Sequence, residues 1–127
     1  MDNSKIKDMI ENAYLQQKQL IEANCAFFKN MVENAYFQNR QMTETNALSI
    51  ENYVRMYGNN DLTNYIENTK RDFLNSSEQS KEKFLSTLDQ IRDDLLSNAL
   101  KIKDNYVSGV DSFKSAGGIK DESGKPQ

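Results

Sequence analysis

The chain is predicted to be all-α: two long amphipathic helices with an eleven-residue periodicity, folded as a helical hairpin or a kinked rod and assembled into an oligomeric bundle or coiled coil. Three observations carry this. Met9-Ile10-Glu11-Asn12-Ala13-Tyr14-Leu15-Gln16 returns 22 residues later as Met31-Val32-Glu33-Asn34-Ala35-Tyr36-Phe37-Gln38. A shorter period of 11 runs inside that repeat, since Ile10, Ile21, Val32, Thr43 and Val54 share one column and Glu11, Glu22, Glu33 and Glu44 the next. Eleven residues make about three α-helical turns at roughly 3.67 residues per turn, so each column keeps to one side of a helix, whereas a strand of period two has no use for it. Breakers are also rare: one Pro, at position 126, and five Gly in 127 residues.

The first helix is expected over residues 5–57, after a short tail of residues 1–4. Its stripe combines the columns Leu20/Met31/Met42/Tyr53, Ile10/Ile21/Val32/Val54 and Tyr14/Cys25/Tyr36/Ala47, with Phe28 alongside. Gln17, Asn24, Asn39 and Asn46 make this face wetter than an ordinary hydrophobic seam. A second apolar column of Leu15, Ala26, Phe37 and Leu48 lies on nearly the opposite side. Lys18 with Glu22, Lys29 with Glu33 and Arg40 with Glu44 recur as i,i+4 pairs on a solvated face, each contributing about 0.2–0.5 kcal/mol or less in this base-first order.

Residues 58–61, Gly58-Asn59-Asn60-Asp61, interrupt the pattern. Gly58 suits a left-handed C-terminal cap, and Asn60 or Asp61 can accept the unpaired N–H groups of a second helix. That helix is expected over residues 62–114 with the period in a new phase. Leu62/Phe73/Phe84/Leu95/Tyr106, Ile66/Ser77/Leu88/Ala99/Val110 and Thr69/Ser80/Ile91/Ile102/Phe113 form its stripe. Beside the stripe run a cationic column, Lys70/Lys81/Arg92/Lys103, and a further column of Leu74/Leu85/Leu96/Val107. Thr69, Ser76, Ser77 and Ser80 turn the stripe polar in mid-helix, where packing should be weakest. Residues 115–127 have the composition of a disordered tail.

Composition excludes several functions. Sixteen basic and nineteen acidic residues nearly cancel, with no local basic cluster, which disfavours nucleic acid. A mean hydropathy of -0.81 and the absence of a long apolar run argue against a signal peptide or membrane span and predict a cytoplasmic protein. There is no histidine; with it go the helical di-iron site and the usual basic partner of a reactive thiolate, so Cys25 reads as a small apolar contact. Asp93 and Asp94 fall on solvated columns, and Gly117-Gly118 precedes no helix, so neither acid–base chemistry nor a phosphate loop is indicated. No catalytic residue, metal ligand or cofactor is expected.

Helices of this length, roughly 80 Å each at about 1.5 Å per residue, leave much apolar surface uncovered when only two pair. A further partner is implied: other copies of the chain, or a hydrophobic surface on which amphipathic helices lie flat. The candidate contact residues are Ile10, Tyr14, Leu20, Ile21, Phe28, Met31, Val32, Tyr36, Met42, Tyr53 and Val54 in the first helix. In the second they are Leu62, Ile66, Phe73, Phe84, Leu88, Ile91, Leu95, Ile102 and Tyr106.

From Ile6 to Phe113 the chain resembles the phasins, small helical proteins that coat cytoplasmic polyhydroxyalkanoate granules. The resemblance rests on the long first helix of amphipathic repeats, the Asn60-Asp61-Leu62 break, and a second helix written Leu62-x-x-Tyr65-Ile66 followed by Phe73, Glu78, Phe84, Leu88 and Ile91. The chain differs from the family's usual composition in being poor in Ala and rich in Asn. The resemblance implies a non-enzymatic granule-surface protein that self-associates, limits granule fusion and acts beside other granule-associated proteins. The alternative reading is a coiled-coil scaffold, adaptor or chaperone-like helical oligomer that binds only protein.

Overall fold

The computed structural model describes residues 2–118, with side chains as far as Phe113. It contains two helices, α1 (Asn3–Arg55) and α2 (Asn60–Gly118). Asp2 caps α1: its Oδ1 accepts a hydrogen bond from the Ser4 N–H at 2.9 Å, satisfying one of the donors that a helix start leaves unpaired. At the other end the Tyr57 and Gly58 N–H groups donate to the Val54 and Arg55 carbonyls at 3.0 Å each, which tightens the last turn. Gly58 then takes φ 70°, a conformation that only a residue without Cβ adopts cheaply. The cap of α2 is Asn59, one residue before the expected candidates Asn60 and Asp61; its Oδ1 accepts from the Leu62 N–H at 3.0 Å. The turn therefore occupies residues 56–59 rather than 58–61. α2 also continues through Gly118, beyond the expected end at 114, and the rest of the expected tail, residues 119–127, lies outside the described residues.

The chain divides into a turn unit, Ala26–Asp89, and a terminal unit, Met1–Cys25 with Gln90–Gln127. Within each unit α1 and α2 pack against each other antiparallel, and the turn unit is a closed helical hairpin. The contacts in the two units are copies of one another. In the terminal unit Lys7 pairs with Asp111, and the Lys103 ammonium sits 5.3 Å from the Tyr14 ring centroid. Move 22 residues forward along α1 and 22 back along α2, and Lys29 pairs with Asp89 at 2.9 Å while the Lys81 ammonium sits 4.6 Å from the Tyr36 ring. The 22-residue text of the first helix is thus matched, position by position, by the reversed spacing of the second.

Less exposed positions follow a 3-4-4 spacing on both helices. On α1 they fall in the columns Ile10/Ile21/Val32/Thr43/Val54, Tyr14/Cys25/Tyr36/Ala47 and Lys7/Lys18/Lys29. On α2 they fall in Ile66/Ser77/Leu88/Ala99/Val110, Lys70/Lys81/Arg92/Lys103 and Leu74/Leu85/Leu96/Val107. The cationic column therefore runs along the middle of the α2 seam, with its aliphatic stems between two apolar columns. The expectation that Lys18 and Lys29 merely line a solvated face is corrected: both are half-buried, and Lys29 makes its ion pair across the seam. Of the apolar residues described, only Cys25, Ala47, Val54 and Ala99 are buried, and no side chain is fully enclosed. Burying one Val-sized side chain contributes about 1.5–3 kcal/mol, so a seam this thin leans on repeated polar contacts to set its register.

Near the turn a third copy of the Lys–Asp position brings two acids together, Glu51 and Glu67. Glu51, the one buried charged residue described, keeps Arg55 at 3.6 Å, and Lys70 lies 2.8 Å from Glu67. The Lys70 hydrogen bond, ahead of smaller contributions from Glu51 and Arg71, holds the Glu67 carboxyl below its ordinary range despite partial desolvation.

Gly58→Ala should lower stability by about 1 kcal/mol, because an L side chain is strained at that φ although nothing crowds the added Cβ. Gly109→Ala, in open space within α2, should raise it by about 0.5–1 kcal/mol, and urea unfolding monitored by circular dichroism reads both signs. Because the folded-state pKa of Glu67 is depressed, its contribution to stability is present above the ordinary glutamate pKa and is lost as pH falls through the depressed one. Glu67→Gln should remove that part of the acid limb from the urea midpoint measured against pH.

Candidate contact face

The charges of α1 occupy little of its circumference. Between residues 12 and 54 every charged side chain falls in two neighbouring columns, Lys18/Lys29/Arg40/Glu51 and Glu22/Glu33/Glu44. On α2 the columns headed by Leu62, Thr69 and Tyr65 hold no Asp, Glu, Lys or Arg as far as Phe113. These uncharged sectors meet in each unit beside the seam, on the side away from the Lys7–Asp111 or Lys29–Asp89 ion pair.

Large apolar side chains stand exposed there. In the terminal unit they include Met9, Leu20, Ile91, Leu95, Ile102 and Tyr106, with Leu20 61% exposed. In the turn unit they include Phe28, Met31, Met42, Tyr53, Leu62, Phe73 and Phe84, with Phe84 56% exposed. The candidate contact residues thus separate into two groups. Ile10, Tyr14, Ile21, Val32, Tyr36, Val54, Ile66 and Leu88 lie half-buried or buried along the seam. Phe28, the Leu20 column of α1, and the Leu62 and Ile91 columns of α2 lie outside it, whereas the periodicity alone predicts one broad stripe on each helix.

Each unit carries a groove between the helices on this side. In the terminal unit it measures about 380 Å³, with Ile6, Met9, Ile10, Ala13, Gln17, Ala99, Ile102 and Tyr106 as its walls and Tyr14 and Lys103 at its floor. In the turn unit it measures about 460 Å³, lined by Val32, Ala35, Phe73 and Phe84 with Asn39, Ser76, Ser77 and Ser80 around Tyr36 and Lys81. The Tyr36 hydroxyl donates to Glu78 Oε1 at 3.2 Å, which fixes the ring beneath the Lys81 ammonium. Desolvation lowers the Lys103 pKa, but hydrogen bonds and charge from Asp104 and Glu11 outweigh it and leave the pKa above its ordinary value. Lys103 therefore stays charged at neutral pH, with acids already beside it.

Sequence reasoning missed the cation–π pairing of the two tyrosines with the lysines of α2. A signal was present: the Lys70 column is flanked on both sides by apolar columns, and a column so placed faces the same neighbour as they do. Among the described residues no cluster of His, Cys, Asp and Glu could hold a metal ion, and no helix is long and apolar enough to cross a membrane. No protein-family model, curated protein or solved structure matches the chain.

Proposed function

We propose that the protein is a non-enzymatic, phasin-like coat that lies on cytoplasmic polyhydroxyalkanoate granules through the uncharged face of its helices and associates there with further copies of itself. The observation that carries this reading is the distribution of charge. Most ionic groups gather in the seam and on the side away from the grooves, with Lys83 at the edge of the face beside Phe84. The columns rich in Leu, Ile, Met, Phe and Tyr have only Asn, Gln, Ser and Thr among their polar residues from residue 12 to 54 and from 62 to 113. An anionic lipid surface rewards lysine and arginine beside the apolar face. A neutral polyester offers alkyl groups and ester carbonyl oxygens instead, which suit apolar side chains mixed with hydrogen-bond donors. A half-exposed Leu or Phe recovers about 1 kcal/mol when the rest of its surface leaves water, so several acting together hold a helix to such a surface.

Partition between buffer and amorphous polyhydroxybutyrate particles tests the reading, with anionic liposomes and a triacylglycerol emulsion alongside. The wild-type chain should bind the polyester selectively. Phe84→Asp and Leu95→Asp should each reduce binding by about tenfold or more, since each removes an apolar contact and desolvates a charge, while Glu33→Gln should change little. Equal losses from both kinds of substitution would contradict the face assignment. A folded oligomer that ignored every surface would point to a scaffold that binds only protein.

A further inference from the structure

The repeat that duplicates the seam contacts also duplicates the grooves, with several side chains changed between the two copies. Ile10, Ala13, Tyr14 and Lys103 of the terminal groove have Val32, Ala35, Tyr36 and Lys81 as counterparts in the turn groove. Ala99 and Ile102, however, are replaced by Ser77 and Ser80, and Gln17 and Tyr106 by Asn39 and Phe84. Hydroxyls on a helix commonly satisfy themselves on the carbonyl four residues back, and Thr43, Thr63 and Thr87 do so at 2.8, 3.1 and 2.9 Å. Ser77 and Ser80 make no such bond, nor any other within the described residues, so their hydroxyls remain available in a groove rimmed by Phe73 and Phe84. The groove thus sets uncharged donors between apolar walls, and its one cation, Lys81, is already placed over the Tyr36 ring.

An ester is the chemical complement of that arrangement, because its carbonyl oxygen accepts and does not donate while the adjoining alkyl groups fill apolar space. Building on the reading of the chain as a polyester coat, we infer that the turn groove is an ester-carbonyl subsite in which Ser77 and Ser80 donate to the polymer. The terminal groove has Ala99 and Ile102 at those two positions and lacks these hydroxyls, its uncharged polar groups being Gln17 and the tyrosine hydroxyls. The serines then account for preference among hydrophobic surfaces, and the exposed aromatic and aliphatic columns account for attachment.

The repeat supplies its own test, since the serine positions of one groove and the Ala99 and Ile102 positions of the other can be exchanged. Ser77→Ala with Ser80→Ile gives the turn groove the terminal groove's side chains at these two positions; Ala99→Ser with Ile102→Ser does the reverse. Ser77→Ala with Ser80→Ala removes the donors without added bulk and with better helix propensity. Partition of the full chain onto amorphous polyhydroxybutyrate particles and onto hexadecane droplets of equal area gives a polyester-to-alkane ratio for each. The ratio should fall about tenfold in both serine-removing variants, as expected for two lost hydrogen bonds, and rise in the reciprocal one. A wild-type chain that binds both surfaces, with a ratio unmoved in the serine-removing variants, would overturn the subsite and leave the coat reading intact. A wild-type chain that binds neither surface would overturn both.

Discussion

Everything in this structure depends on keeping the cationic column of α2 beneath the Tyr14 and Tyr36 column of α1. Lys81 over Tyr36 and Lys103 over Tyr14 are individually weak, about 0.5–1 kcal/mol at such exposure. They recur at the spacing of the repeat, together with Lys7–Asp111 and Lys29–Asp89, and so select one antiparallel register in each unit. Small side chains of the same α1 column, Cys25 between the two tyrosines and Ala47 beyond Tyr36, are buried. Eleven residues in three turns hold these contacts on one side without demanding a left-handed supercoil.

A seam built this way consumes few apolar side chains. Leu74, Leu85, Leu96 and Val107 serve it from α2, and Ile10, Ile21, Val32 and Val54 from α1. The larger residues, Phe73, Phe84, Leu95, Met31 and Met42 among them, are left outside. An ordinary two-helix fold would bury its largest apolar groups and expose its lysines. Here long basic stems fill the centre of the seam, and the aromatic and aliphatic columns face outward on an uncharged surface. That inversion is the physical basis for assigning the contact face.

The period, both helices and the single break were legible in the sequence, because the eleven-residue columns, the scarcity of breakers and Gly58 each act through local geometry. Which columns would form the seam was not. Hydrophobic content ranks Leu62/Phe73/Phe84/Leu95 above Lys70/Lys81/Arg92/Lys103, and only the identity of the opposing helix face reverses that order. The cap slipped by one residue because Asn59, Asn60 and Asp61 are all competent acceptors and the turn geometry chooses among them. Ser76, Ser77 and Ser80 are legible in sequence as a loosening of the stripe; their place along a groove depends on the packing of Phe73, Phe84 and Tyr36 beside them.

The central claim is that the outward columns of α2, not the glutamate column of α1, form the contact face. It is tested most directly by placing an environment-sensitive fluorophore on single cysteines at position 95 or 33, in a chain whose Cys25 is replaced by alanine. Both Leu95 and Glu33 are exposed in the structure, so both labels start in water. On adding amorphous polyester particles, the label at 95 should shift to the blue and lose access to an aqueous quencher, while the label at 33 should keep its emission and its quenching. Equal shifts at both positions, or a shift at 33 alone, would contradict the account.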